Sequence, residues 1–172
     1  RGLGDVYKRQ KYITINSIFH KIGLYDENHY LCSMNRLVIV GCGRLAEIIT
    51  NAVVKGMLPD YELVGVYSRT ASKAEHIANK MRQHGKMCAA CHTLKELLEL
   101  KPDYLVESAS PAAMKELALP TLENGTSIIT LSIGALADTS FYEKVKETAK
   151  ANDTRVYLVS GAIGGFDVLR TT

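Results

Sequence analysis

Two glycines carry the first chemical signal. Leu37-Val-Ile-Val40 is a short apolar run, Gly41-Cys-Gly43 follows it, and Arg44-Leu45-Ala46 opens a segment with helical spacing. A strand, a tight glycine turn and a helix start, in that order, form the phosphate cradle of a dinucleotide-binding unit. A pyrophosphate must approach the backbone N–H groups at a helix N-terminus, where the dipole is positive. A Cβ at Gly41 or Gly43 would obstruct the turn or that approach. Ala46 stands at the third fingerprint position, which governs helix–strand packing and accepts alanine. The competing reading of these residues is a tight β–α turn without a ligand.

The end of the second strand chooses between the two nicotinamide cofactors. A ribose 2′-hydroxyl is matched by an acid there, and a 2′-phosphate by Arg or a small donor. The sequence reads Tyr67-Ser68-Arg69-Thr70, with Lys73 one turn on and no acid before Glu75. Arg69 can pair with a phosphate through two parallel hydrogen bonds, and Ser68 can donate one. The residues lean to NADP, with NAD as the alternative. A solvated loop with Arg69 stacked on adenine is the other reading. Three further turns lie at strand ends: Ala109-Ser110-Pro111, Ser132-Ile-Gly134-Ala135, and Ser160-Gly-Ala162-Ile-Gly-Gly165. Ligands of open α/β sheets bind outside the strand C-termini. These turns pair small residues with N–H and hydroxyl groups expected to face a flat nicotinamide.

Cys88-Ala-Ala-Cys91-His92 spells a haem-attachment pattern, but it falls on a strand and its end, where ordinary thiols are expected. No second cluster offers four metal ligands, so no metal is expected. Histidines 20, 29, 76, 84 and 92 are scattered, and none is assigned as a catalytic base. No catalytic residue is assigned at all.

The elements that must position these groups alternate. Strands are expected at Leu37–Val40, Glu62–Tyr67, Lys86–Cys91, Tyr104–Glu107, Ser127–Leu131 and Arg155–Val159. Helices are expected at Leu45–Gly56, Ser72–His84, from Thr93 to Leu100, from Ser110-Pro111 to Glu123, and at Ser140–Ala151. Apolar strands separated by helices imply a Rossmann-type α/β fold. It is a doubly wound parallel sheet in the order 3-2-1-4-5-6 with helices on both faces.

The chain has 172 residues, 47% apolar and 23% charged, and a formal net charge of +3. Residues 4–10 resemble a translated sequencing adapter, and residues 11–33 are rich in residues with AT-rich codons. Residues 1–33 are therefore read as an artefact or disordered leader, with Met34 as the expected start; the competing reading of residues 11–33 is a genuine extension with one short strand, Tyr12 to Ile18. The first ten residues hold Arg1, Lys8 and Arg9 against Asp5, and residues 11–33 are balanced. That leaves +1 from Met34 onward. No basic patch argues for nucleic acid or an anionic membrane, and no apolar run is long enough to span one. A cytoplasmic location is expected. Residues 34–160 form the expected NAD(P)-binding domain. Residues 161–172 start a connection to a missing second domain, so the chain is read as a fragment.

Four stretches together resemble the L-aspartate dehydrogenase family. They are Val40-Gly-Cys-Gly43, Leu105-Val-Glu-Ser-Ala-Ser-Pro111, Leu131-Ser-Ile-Gly-Ala-Leu-Ala-Asp138, and Val159-Ser-Gly-Ala-Ile-Gly-Gly-Phe-Asp-Val-Leu169. The last is close to a family signature. It departs at Phe166, where Leu is usual, and Arg44-Leu45 replaces a small or amide residue followed by Ile. The resemblance implies a cofactor contact at Ala162. It also implies hydride transfer between L-aspartate and NAD(P), giving iminoaspartate and then oxaloacetate and ammonia. It further implies a homodimer, and a second α/β domain that supplies the substrate pocket, an Asn and a catalytic His. The alternatives are another two-domain NAD(P) oxidoreductase, such as homoserine dehydrogenase, and a non-catalytic nucleotide-binding module.

Overall fold

The computed structural model describes residues 34–159. Six strands form one sheet: β1 (Asn35–Val40), β2 (Tyr61–Tyr67), β3 (Ala89–Cys91), β4 (Tyr104–Glu107), β5 (Ser127–Thr130) and β6 (Val156–Leu158). The helices are α1 (Arg44–Val54), α2 (Ala71–Gln83), α3 (Leu94–Glu99), α4 (Pro111–Glu123) and α5 (Thr139–Ala151). The strand order is β3-β2-β1-β4-β5-β6, and every pairing is parallel, as the alternating pattern predicts. The expected strand at 86–91 shortens to three residues, and the Ser132 turn contains a 3-10 helix at Ile133–Ala137.

Side chains on a strand alternate between the two faces, and this builds two cores. Leu37 and Ile39 join Ile49 and Val53 of α1 and Ile77 and Met81 of α2 on one face. Val38 and Val40 join Leu97 of α3, Met114 and Leu122 of α4 and Val145 of α5 on the other. Val106 and Ile129 follow the first face, Leu105 and Ile128 the second, so the alternation runs through β4 and β5. A register shift between Leu37 and Val38 brings Gly65 opposite Val38. A Cβ at Gly65 would collide with Leu100 and lie 3.1 Å from Leu97, so this glycine lets the second core close against β2.

Local signals fix the helix ends. The Thr93 side chain accepts from Glu96 N–H, Ser110 from Ala113 N–H, and Asp138 from Ser140 and Phe141 N–H, capping α3, α4 and α5. Pro111 occupies the first turn of α4, where its missing N–H loses no intrahelical bond. The two remaining helices start at Gly43 and Thr70 with no side-chain cap. Both of these ends face the same crevice.

Candidate functional site

A crevice of about 340 Å³ opens at the C-terminal end of the sheet, over the junction where chain order reverses between β1 and β4. Gly41, Cys42 and Gly43 form its floor, and Tyr67, Ser68, Arg69 and Thr70 form the side beyond β2. Lys73 of α2 and Leu94, Ala109, Ala113, Glu116 and Leu117 complete it.

The two glycines of the turn serve different ends. Gly41 has φ +95°, and a Cβ on it would lie 2.7 Å from the carbonyl carbon of Ser108 and 2.8 Å from the nitrogen of Ala109. The turn is thus pressed against the loop after β4, and only a residue without a side chain fits. Ser108 reinforces the contact: its N–H donates to Val40 O at 2.9 Å and its hydroxyl to Gly41 O at 2.8 Å. Gly43 has φ −95°, and a Cβ on it would meet nothing within 4 Å. The space in front of Gly43 lies at an uncapped helix N-terminus, which leaves backbone N–H groups for an anion. The residues present therefore fit a dinucleotide pyrophosphate.

The charges around the crevice suit that ligand. Arg44, Arg69 and Lys73 are exposed, and among the described residues no ion pair engages them. Thr70 N–H donates to Ser68 Oγ at 3.3 Å, which leaves the Ser68 hydroxyl proton to donate elsewhere. Cys42 sits inside the turn with its Sγ 3.6 Å from Tyr67 O. Burial, helped by the nearby Glu47 carboxylate, pushes its thiol up to about 11, so the turn carries no thiolate to repel a phosphate.

Of the residues expected from sequence, the crevice brings together Gly41, Gly43, Ser68, Arg69 and Ala109. Arg44 and Leu45 form the first turn of α1 beside it. Ser110 and Pro111 serve α4 as cap and first residue. Gly134 is exposed on the 3-10 segment, whereas Ala135 is 1% exposed and packs in the second core. Ala162 lies outside the described residues. The N–H groups of the β4 and β5 loops differ from expectation. Those of Ala109, Ser110 and Ser132 do not face the crevice as donors; the first two point inward to the carboxylate of Glu107, and Ser132 N–H is shared between that carboxylate and Thr130 Oγ1. Sequence reasoning passed over Glu107, an acid at the end of an apolar strand.

The Cys88/Cys91 pair lies at the β3 edge as buried free thiols. Burial pushes Cys88 up to about 12 and Cys91 in the same direction. Among the described residues no group of three His, Cys, Asp or Glu side chains converges as a metal site. No described helix is long and apolar enough to cross a membrane.

Comparison with known proteins agrees with this geometry. The family described as homoserine dehydrogenase, NAD binding domain, matches residues 41–159. An L-aspartate dehydrogenase of Methanocaldococcus jannaschii is 34% identical over 137 residues, covering 80% of this chain and 49% of that protein. The L-aspartate dehydrogenase of Methanothermobacter thermautotrophicus is 36% identical over 132 residues, covering 77% of this chain and 49% of that protein. The crystal structure of aspartate dehydrogenase from Thermotoga maritima superposes with a TM-score of 0.52 at 28% identity, over 81% of this chain and 51% of that one. The chain thus spans about half the length of the curated relatives it matches. With a glycine turn, an uncapped helix end and a crevice at the sheet's switch point, the chain belongs to the homoserine dehydrogenase NAD-binding domain family, is similar over 77–80% of its length to L-aspartate dehydrogenases, and has a nicotinamide dinucleotide as its cofactor.

Proposed function

We propose that this chain is the cofactor half of an NAD(P)-dependent L-aspartate dehydrogenase. A hydride passes from the α-carbon of L-aspartate to the dinucleotide and the amine loses a proton, giving iminoaspartate. Water then converts the imine to oxaloacetate and ammonia. The dinucleotide supplies the hydride chemistry, and this chain's residues bind and orient it. The observation that carries the reading is the similarity to L-aspartate dehydrogenases over the residues that build the crevice. In this reading the substrate pocket and catalytic groups belong to the half of the relatives' length that the chain does not span. Residues 34–160 hold the cofactor and 161–172 lead toward that second domain. The whole enzyme is a cytoplasmic homodimer.

Ser68, Arg69 and Lys73, with no acid between the end of β2 and Glu75, support NADP over NAD. Fluorescence titration of the chain should show tighter binding of NADPH than of NADH. Arg69→Asp should weaken NADPH about tenfold, the scale of one lost charge-assisted pair. Unchanged affinity removes the argument for NADP. The family description favours a second reading, oxidation of L-homoserine. An assay of the protein extended to its relatives' length separates the two. NAD(P)H formation with L-homoserine and none with L-aspartate would select the second.

A further inference from the structure

Glu107 ends β4 and is 0% exposed. Its Oε1 accepts from Ala109 N–H at 2.8 Å, Ser110 N–H at 2.9 Å and the Ser132 hydroxyl at 3.0 Å. Its Oε2 accepts from the Thr130 hydroxyl at 2.6 Å and from Ser132 N–H at 3.3 Å. None of these donors is a cation, and among the described residues no ion pair reaches Glu107. A buried carboxylate is costly unless hydrogen bonds replace its water. Here backbone N–H groups and hydroxyls replace it. An apolar residue in this position, on the same face of β4 as Leu105, would avoid the cost, so burial alone does not account for an acid.

The geometry accounts for it. The parallel register sets Glu107 beside Thr130, so one carboxylate reaches the loops leaving both strands. The adjacent Ser108 ties β4 to the glycine turn. The Glu107–Ser108 pair therefore joins three strand ends. A dinucleotide with its pyrophosphate at Gly43 and its adenosine ribose at Ser68–Arg69 extends its other half toward the β4 and β5 ends.

We propose that Glu107 is the positioning residue for the nicotinamide half of the cofactor. Its carboxylate draws the N–H groups of both loops inward and fixes the outer surface, with Ala109, Ile133 and Gly134 exposed, on which the ring lies. The inference rests on the cofactor reading above. Glutamine is a poor substitute. Its amide offers one acceptor oxygen and an NH₂ group: turned one way the Ala109 and Ser110 N–H groups lose their acceptor, and turned the other way Ser132 N–H is left with Thr130 Oγ1 alone.

The test uses the full chain and pairs each dinucleotide with its counterpart lacking nicotinamide: NADPH with 2′-phospho-ADP-ribose, and NADH with ADP-ribose. Glu107→Gln should weaken the dinucleotide about tenfold and leave the counterpart within about twofold. Rescue should follow from Glu107→Asp only in part, because its carboxylate is withdrawn by one methylene. Equal losses for both probes, with a lowered melting temperature, mean a purely structural role and overturn the proposal. Should Glu107→Gln fail to fold, Ser132→Ala decides. It removes one donor, keeps the carboxylate, and should weaken only the dinucleotide, by about threefold. Identical binding by wild type and variants overturns this proposal alone. A wild type that binds neither probe overturns the cofactor reading and this inference with it.

Discussion

Replacing each glycine of the turn by alanine separates folding from binding. At position 41 the new side chain must adopt φ +95°, which costs roughly 1–2 kcal/mol for a residue with a Cβ. It must also enter a gap where backbone atoms lie 2.7–2.8 Å from the Cβ position. Backbone cannot rotate away as a side chain can, and overpacking of this kind adds about 1–3 kcal/mol. Gly41→Ala should thus lose about 3 kcal/mol and about 10 °C in melting temperature. At position 43 φ is −95° and the Cβ meets nothing within 4 Å. Gly43→Ala should therefore lose only about 1 kcal/mol, the cost of alanine in place of glycine at a helix N-cap, and about 3 °C in melting temperature. Its methyl group fills the space the pyrophosphate needs, and NADPH affinity should fall at least about tenfold. Thermal melts and fluorescence titrations of the two variants measure both effects. A Gly43→Ala chain that binds like wild type would refute the assignment of that space to phosphate. A Gly41→Ala chain that melts like wild type would refute the close approach of the two loops.

Two further outcomes follow from ionisation. The Lys115 ammonium, the Ser140 hydroxyl and the Phe141 N–H hold the Asp138 carboxyl well below the usual range. A depressed carboxyl stabilises the fold above its unfolded value and loses that contribution as pH falls through the folded one. Asp138→Asn should therefore melt below wild type at pH 7, and the gap should close progressively below about pH 4. A gap independent of pH would contradict the pairing. Burial keeps Cys42 and Cys88 protonated, at about 11 and about 12. Iodoacetamide at pH 8 should label neither in the native chain and both after denaturation, as read by peptide mass mapping. Rapid native labelling of Cys88 would contradict its burial.

The fold was legible because its signals are local. Apolar runs, the Ser110-Pro111 start and the glycine turn each act within a few residues, and right-handed crossovers turn such a series into one strand order. The weakest strand, β3, shrank to three residues because it is an edge strand, paired only with β2. The crevice was legible where a motif carries it, at Gly41, Gly43, Ser68 and Arg69. Lys73 was visible as a cation one turn past Arg69. Glu107 was not, because its role depends on Thr130 and Ser132 in the neighbouring strand and loop, and register is a tertiary property. The signal available was an acid in an apolar strand, one residue before Ser108 and three before Ser110, with Thr130 ending the next strand and Ser132 just beyond it. The same dependence explains the N–H groups: composition indicates that a loop has donors, but only packing sets their direction.

The contact between Gly41 and the Ser108–Ala109 peptide also governs how this domain can be recombined. Two segments nearly seventy residues apart in sequence share one van der Waals gap and one hydroxyl bond. Substitutions at 41 and 108 should be strongly epistatic, with double-mutant effects that do not add. A chimera that takes the glycine turn from another nucleotide-binding domain inherits half of a fitted pair. Such exchanges should succeed when the loop after β4 travels with the turn, and fail when the break falls between them.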